Sequence, residues 1–127
     1  METLTINKTK NTPLVDFNSN GQLTLEGRAI CEDPLKFFSP LVRWVSDLNV
    51  ESVKLIIKLD YLNTSSTKML NELIKTIDAN MKIGQKAIHW YFEKHDEDML
   101  ELGQIIEEQI LTTDFLFHEM VEENFIY

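Results

Sequence analysis

Val53-Lys54-Leu55-Ile56-Ile57-Lys58-Leu59-Asp60-Tyr61-Leu62-Asn63-Thr64-Ser65-Ser66-Thr67, residues 53–67, is the stretch that decides the fold. Its first seven residues are rich in β-branched and aliphatic side chains and partly apolar on both faces, which suits a central strand. Asp60-Tyr61-Leu62-Asn63 leaves that strand, and Thr64-Ser65-Ser66-Thr67 opens a helix. Met69, Leu70, Leu73, Ile74 and Ile77 then form one apolar stripe at helical spacing. A strand that passes straight into an amphipathic helix is half of a β-α-β unit. The remaining elements should therefore join a mainly parallel α/β sheet.

Upstream, Leu14-Val15-Asp16-Phe17 and the alternating Gln22-Leu23-Thr24-Leu25-Glu26-Gly27 flank Asn18-Ser19-Asn20-Gly21. Asn-Gly between two such runs signals a hairpin, because both turn positions tolerate positive φ. An edge strand is expected around Leu4-Thr5-Ile6. Asp33-Pro34 reads as an N-cap with proline at the first helical position. Leu35, Phe38, Leu41, Val42, Val45 and Leu48 follow at helical spacing, and Pro40 should break that helix into a short first turn and a restart running to about Leu48.

Downstream, Gly84 marks a turn before the aromatic strand Lys86-Ala87-Ile88-His89-Trp90-Tyr91-Phe92. The acidic stretch Glu93 to Asp98 suits a helix N-terminus. That helix should reach about Leu111 and bury Met99, Leu102, Ile106 and Ile110. Phe115-Leu116-Phe117 gives a last short strand before an acidic tail that ends at Tyr127. The expectation is one α/β domain over 1–127: a mixed, mainly parallel sheet with an N-terminal antiparallel hairpin and three main helices.

The chain has 127 residues, 21 acidic and 12 basic, for a formal net charge of −9. Phosphate-backbone binding needs clustered Lys and Arg, so the charge argues against a nucleic-acid partner and against docking on an anionic membrane. No apolar run approaches the ~18–20 residues of a membrane span, and METLTINKTK lacks the apolar core of a secretory signal. One cysteine, Cys31, forms no internal disulfide and is ordinary for a reducing compartment. A cytoplasmic protein is expected.

Catalytic constellations are missing. No P-loop, Rossmann glycine pattern or G-x-S-x-G occurs. His89, His95 and His118 show no metal-ligand spacing, His95 and His118 falling in loop and terminal segments, so no metal and no cofactor are expected. Glu93, Asp96, Glu97 and Asp98 lack the glycine and spacing of a calcium loop. Cys31 beside Glu32 and Asp33 is a poor thiolate, and Trp44 and Trp90 read as core.

The hydroxyl run remains. Ser and Thr at that junction cap free helix amides, but a cap needs one hydroxyl and here are four in a row. A helix N-terminus presents unpaired amides and partial positive charge, so it accommodates a phosphate of roughly −1.5 to −2 charge. Lys68, one helical turn beyond Thr64, lies on the same face. The same dianion placed in a partner's surface carries an uncompensated charge into the contact, at a cost of roughly 3–5 kcal/mol, enough to abolish a micromolar complex.

Asp33-Pro34, Phe37-Phe38-x-Pro40-Leu41-x-x-Trp44 and above all Tyr61-Leu62-Asn63-Thr64-Ser65-Ser66-x-Lys68 resemble the SiaC family of bacterial regulatory phosphoproteins, over nearly the whole chain. The resemblance implies a fold similar to the STAS domain of anti-sigma-factor antagonists, and no catalysis by the chain itself. It implies that a Ser/Thr protein kinase phosphorylates Thr64, with Ser65 and Ser66 as alternatives, and that a PP2C-type phosphatase reverses this. Tyr61, Leu62, Asn63, Thr64, Ser65 and Lys68 are implied as partner-binding. The unphosphorylated form would bind and activate a diguanylate cyclase, raising cyclic di-GMP and promoting biofilm. Asn63, where antagonists usually carry Asp, and Lys68, in place of a glycine-rich continuation, favour this family over an anti-sigma-factor antagonist. That antagonist role and a plain interaction scaffold are the alternatives.

Overall fold

The computed structural model describes residues 1–120; the acidic tail expected at the C-terminus lies outside the described residues. The elements run β1 (Leu4–Ile6), β2 (Leu14–Phe17), β3 (Gln22–Ala29), α1 (Pro34–Asp47), β4 (Val50–Leu62), α2 (Thr64–Ala79), β5 (Ile83–Glu93), α3 (Glu97–Glu107) and β6 (Asp114–Met120). One sheet takes the strands in sequence order, β1-β2-β3-β4-β5-β6. β1, β2 and β3 pair antiparallel, and β3 through β6 pair parallel. The mixed sheet, the hairpin and the three helices agree with the reading of the sequence.

Parallel neighbours in sequence order, joined by right-handed crossovers, put every crossover helix on the same face of the sheet. Burial follows that rule. In β4, Val53, Leu55, Ile57 and Leu59 are buried while Ser52, Lys54 and Asp60 are exposed. Phe38, Leu41 and Val45 of α1 and Leu70, Leu73, Ile74 and Ile77 of α2 complete the core, and α1 packs on α2. Trp90 of β5 is fully buried against α3, donating its indole N–H to the Met99 carbonyl at 3.0 Å. Trp44 is only half-buried, against Phe17, and reaches the Glu2 carbonyl at 2.9 Å.

Several local expectations give way to tertiary context. Pro40 sits inside an unbroken α1 rather than restarting it, and Asp33 accepts from the Lys36 amide at 3.1 Å as the N-cap. Phe38, Leu41 and Val45 all reach the core only if the helix is continuous, and that burial outweighs one lost amide bond. Leu35, by contrast, faces solvent. The hairpin closes as a three-residue loop: the Gly21 amide donates to the Asn18 carbonyl at 2.9 Å, and only Gly21 adopts positive φ (101°), whereas Asn20 does not. Gly84 is no turn but lies within β5, where a Cβ would meet the Glu51 carbonyl of β4 at 2.4 Å. The glycine marks a close strand approach. The turn falls earlier, at Asn80, whose buried amide nitrogen donates to the Val45 and Leu48 carbonyls at 2.8 and 2.9 Å and so closes the end of α1. Asp60–Leu62 still belongs to β4, and α3 ends at Glu107, short of Leu111.

Asp78, in the last turn of α2, stops α3 from running on. Its carboxylate accepts from the amides of Leu111 and Thr112 at 2.9 and 2.8 Å and from the hydroxyls of Thr112 and Thr113 at 2.9 and 2.8 Å. Burial alone would raise its pKa, but these bonds favour the anion and bring it from 3.8 to about 2. The unfolded chain therefore binds the proton first. The stability Asp78 contributes is complete above pH 3.8 and is lost as the pH falls through about 2. Denaturation of Asp78→Asn across that window should show a shallower acid loss than the parent, and parallel profiles would exclude this role for Asp78.

Candidate functional site

β4 carries one residue more than its neighbour just before it meets α2. Gly27 pairs with Leu59 and Ala29 pairs with Leu62, so two steps along β3 face three along β4. Such a bulge re-aims side chains at the end of a strand. Here Tyr61 is 58% exposed, with the Arg28 guanidinium 4.7 Å from its ring centroid. Leu62 is half-buried at the edge of the core.

Asn63, not a hydroxyl residue, caps α2. Its Oδ1 accepts from the Ser66 amide at 3.0 Å, and its Nδ2 donates to the Cys31 carbonyl at 3.1 Å. Its own amide donates to the Ala29 carbonyl at 3.2 Å. The Cys31 amide in turn donates to the Ser66 hydroxyl at 3.3 Å. The start of α2 is thereby latched to the chain leaving β3, more than thirty residues away in sequence.

This latch divides the four hydroxyls. Ser66 is fully buried and bonded, so a visiting kinase has no access to it in this fold. Thr67 is half-buried and donates to the Asn63 carbonyl at 3.1 Å. Thr64 and Ser65 occupy the first two helical positions, are exposed, and make no side-chain hydrogen bond among the described residues. Their amides are the two of the first turn left over once Asn63 and Ser66 are paired, and they point out of the helix end with its partial positive charge. Lys68 is exposed one turn further on.

Beside this end of α2 lies a hollow of about 310 Å³ lined by Asp60, Tyr61, Leu62, Thr67, Asp96, Asp98, Met99 and Leu102. It brings the ends of β4 and the start of α3 next to the hydroxyl run. Among the described residues, no group of three or more His, Cys, Asp or Glu side chains is placed to hold a metal ion. No described helix is long and apolar enough to cross a membrane. Cys31 is buried, and its backbone rather than its thiol enters the latch. His95 sits at positive φ (76°) in the exposed turn before α3.

Tyr61 to Lys68 stand out in the sequence, whereas Arg28 and the Cys31 backbone, which the fold brings beside them, do not. Arg28 comes from β3 and Cys31 from the chain just after it, and no spacing within the hydroxyl segment encodes them. His89 and His118 are likewise apart in the sequence, and the sheet brings them to 2.7 Å between Nδ1 and Nε2; His118 lies in β6, not in a loose terminal segment. Loss of the cap tests the latch. Asn63→Ala should cost at least the ~0.5–2 kcal/mol of a missing N-cap, and Asn63→Asp, which keeps the acceptor but not the Nδ2 donor, should cost less. Equal stability of the three proteins in urea denaturation would refute the latch.

The family model described as SiaC family regulatory phosphoprotein matches residues 6–120. An uncharacterized protein of Pseudomonas aeruginosa (strain UCBPP-PA14) is 25% identical over 109 residues, covering 82% of this chain and 86% of that protein. Among solved structures, SiaC of Pseudomonas aeruginosa superposes with a TM-score of 0.81 at 21% identity, covering 94% of this chain and all of the other. The complex of the diguanylate cyclase SiaD with its activator SiaC, from the same organism, gives a TM-score of 0.76 at 22% identity, covering 91% and 99% of the two chains. The sheet order, the strand-to-helix junction and the match over 6–120 agree: this chain belongs to the SiaC family of regulatory phosphoproteins.

Proposed function

We propose that this protein is a non-enzymatic adaptor whose docking is switched by phosphorylation of Thr64. A Ser/Thr protein kinase adds the phosphate and a PP2C-type phosphatase removes it. The bare form binds and activates a partner, a diguanylate cyclase, and so feeds cyclic di-GMP signalling. The single observation that carries this reading is the exposed Thr64, its hydroxyl unbonded among the described residues, at the first position of a helix whose cap and third residue are fixed elsewhere. Family membership supports the phosphoprotein role, and the related SiaC that was solved with SiaD supports the kind of partner.

The physics of the switch is local. Asn63, Ser66 and Thr67 hold the helix start without using the Thr64 hydroxyl, so esterification leaves the fold intact. The added dianion meets the free amides of Thr64 and Ser65 and the charge of Lys68. Tyr61, Leu62, Asn63, Ser65 and Lys68 then form the partner-facing rim, and a partner seated there has to accommodate a hydrated phosphate beside the carboxylates of Asp60, Asp96 and Asp98. Ser65 shares the exposure of Thr64 and is the remaining alternative acceptor; the burial of Ser66 counts against it.

Incubation with the cognate kinase and ATP should add one phosphate by intact mass, and Thr64→Ala should abolish the gain. A phosphate retained in Thr64→Ala and lost in Ser65→Ala would move the switch by one residue. Thr64→Ala and Thr64→Asp baits should differ in capture of the cyclase, the alanine form retaining it. Aspartate carries one charge against nearly two for phosphate, so that contrast is partial. Equal capture by both baits together with an unmodified mass would reject the switch and leave a scaffold, while capture of an anti-sigma factor in place of a cyclase would change the pathway.

A further inference from the structure

With every helix on one face, no described element covers the other face of the sheet, and it carries a cluster that the proposed switch does not use. His89 of β5 and His118 of β6 lie two residues apart diagonally across the strand pair, with Nδ1 of one and Nε2 of the other 2.7 Å apart. Their ring planes differ by only 7° at a centroid separation of 5.0 Å. Imidazole N–H bonds and lone pairs lie in the ring plane, so so short a contact between near-parallel rings is an edge-to-edge hydrogen bond, not a face stack. Tyr91 stacks on His118 at 4.6 Å between centroids and receives the Lys58 ammonium at 4.6 Å from its ring centroid.

We infer that His89 and His118 act as one proton-sharing unit, a clasp that holds the edge strand β6 to β5 and opens when the unit takes up a second proton. The neutral pair is joined by one N–H donated to the other ring's lone pair. A first added proton keeps that bond and makes it charge-assisted. A second proton leaves two donors facing each other with no acceptor between them, and two like charges in contact.

The charged and titratable groups around the pair set its direction. From β4 come Lys54 and Lys58, from β5 Tyr91 and from β6 Asp114, with Glu26 of β3 opposite Lys58 in the register. His89 sits nearest the middle of the face: burial, then Lys54, then His118 all depress its pKa below the ordinary 6.5. A depressed histidine is charged more readily in the open state, so the stability that neutral His89 contributes is complete above 6.5 and is lost as the pH falls below it. Among the described residues β6 is the last strand of the sheet, bonded on one edge only. Loss of the clasp therefore frees a strand edge without dismantling the core under α1 and α2.

The test follows the imidazole nitrogens of both rings by NMR from about pH 8 to about pH 5, with amide exchange of β6 read against β4 in the same samples. Two coupled steps, each sensed by both rings, are expected, with protection of β6 lost through the second step and that of β4 kept. In His118→Asn, His89 should titrate in one step, and the pH-dependent loss in β6 should vanish. Independent single-step titrations in the parent, unchanged β6 protection through the second step, or the same loss in His118→Asn would each overturn the clasp. If His118→Asn does not fold, the parent titration alone decides.

Discussion

The order of the parallel strands is the constraint on which everything else rests. Four parallel strands laid down in sequence, with crossovers of one hand as such connections favour, leave one face for all three helices. They also bring every strand-to-helix junction to the same end of the sheet. The junction of β4 with α2 and that of β5 with α3 thus share a hollow floored by Leu62, Met99 and Leu102. The helix end on such a platform is backed by the packed core, so a change of charge proposed there would be read by a docking partner and not absorbed by the fold.

The division of labour within the hydroxyl run follows from the latch. Ser66 is drawn under the chain leaving β3 because the Cys31 amide, bent out of the sheet ladder, needs an acceptor. Asn63 serves two masters, capping α2 with its oxygen and holding Cys31 with its nitrogen. An aspartate at that place would keep the first role and lose the second. The remaining hydroxyls, Thr64 and Ser65, are left unbonded among the described residues because others hold the helix. Asp78 does comparable work at the opposite end of α2, where a carboxylate would otherwise be unfavourable against the helix dipole and is retained by its bonds to the 111–113 turn.

Much of this was legible in the residues. Alternation in β3, the apolar stripe of α2 and the aromatic run of β5 each report a periodicity that burial enforces, and the Tyr61 to Lys68 segment stands out by composition. The misread places share a cause. Pro40 and Gly84 carry local signals for interruption, and each is overruled where the core or a neighbouring strand fixes the backbone: Phe38 with Leu41 and Val45 for Pro40, the Glu51 carbonyl for Gly84. Ser and Thr cap helices by nature, yet the cap of α2 falls to Asn63 on account of a partner far away in the chain.

The sequence by itself determined the class of fold, the sites of its helices and strands, and the eight-residue segment in which a switch would lie, because hydrophobic period and helix-start chemistry are written locally. Only the tertiary structure decided which hydroxyl faces solvent, that Arg28 stands over Tyr61, and that His89 meets His118. Those facts depend on strand register, which pairs residues tens of positions apart and leaves no trace in the spacing of either partner.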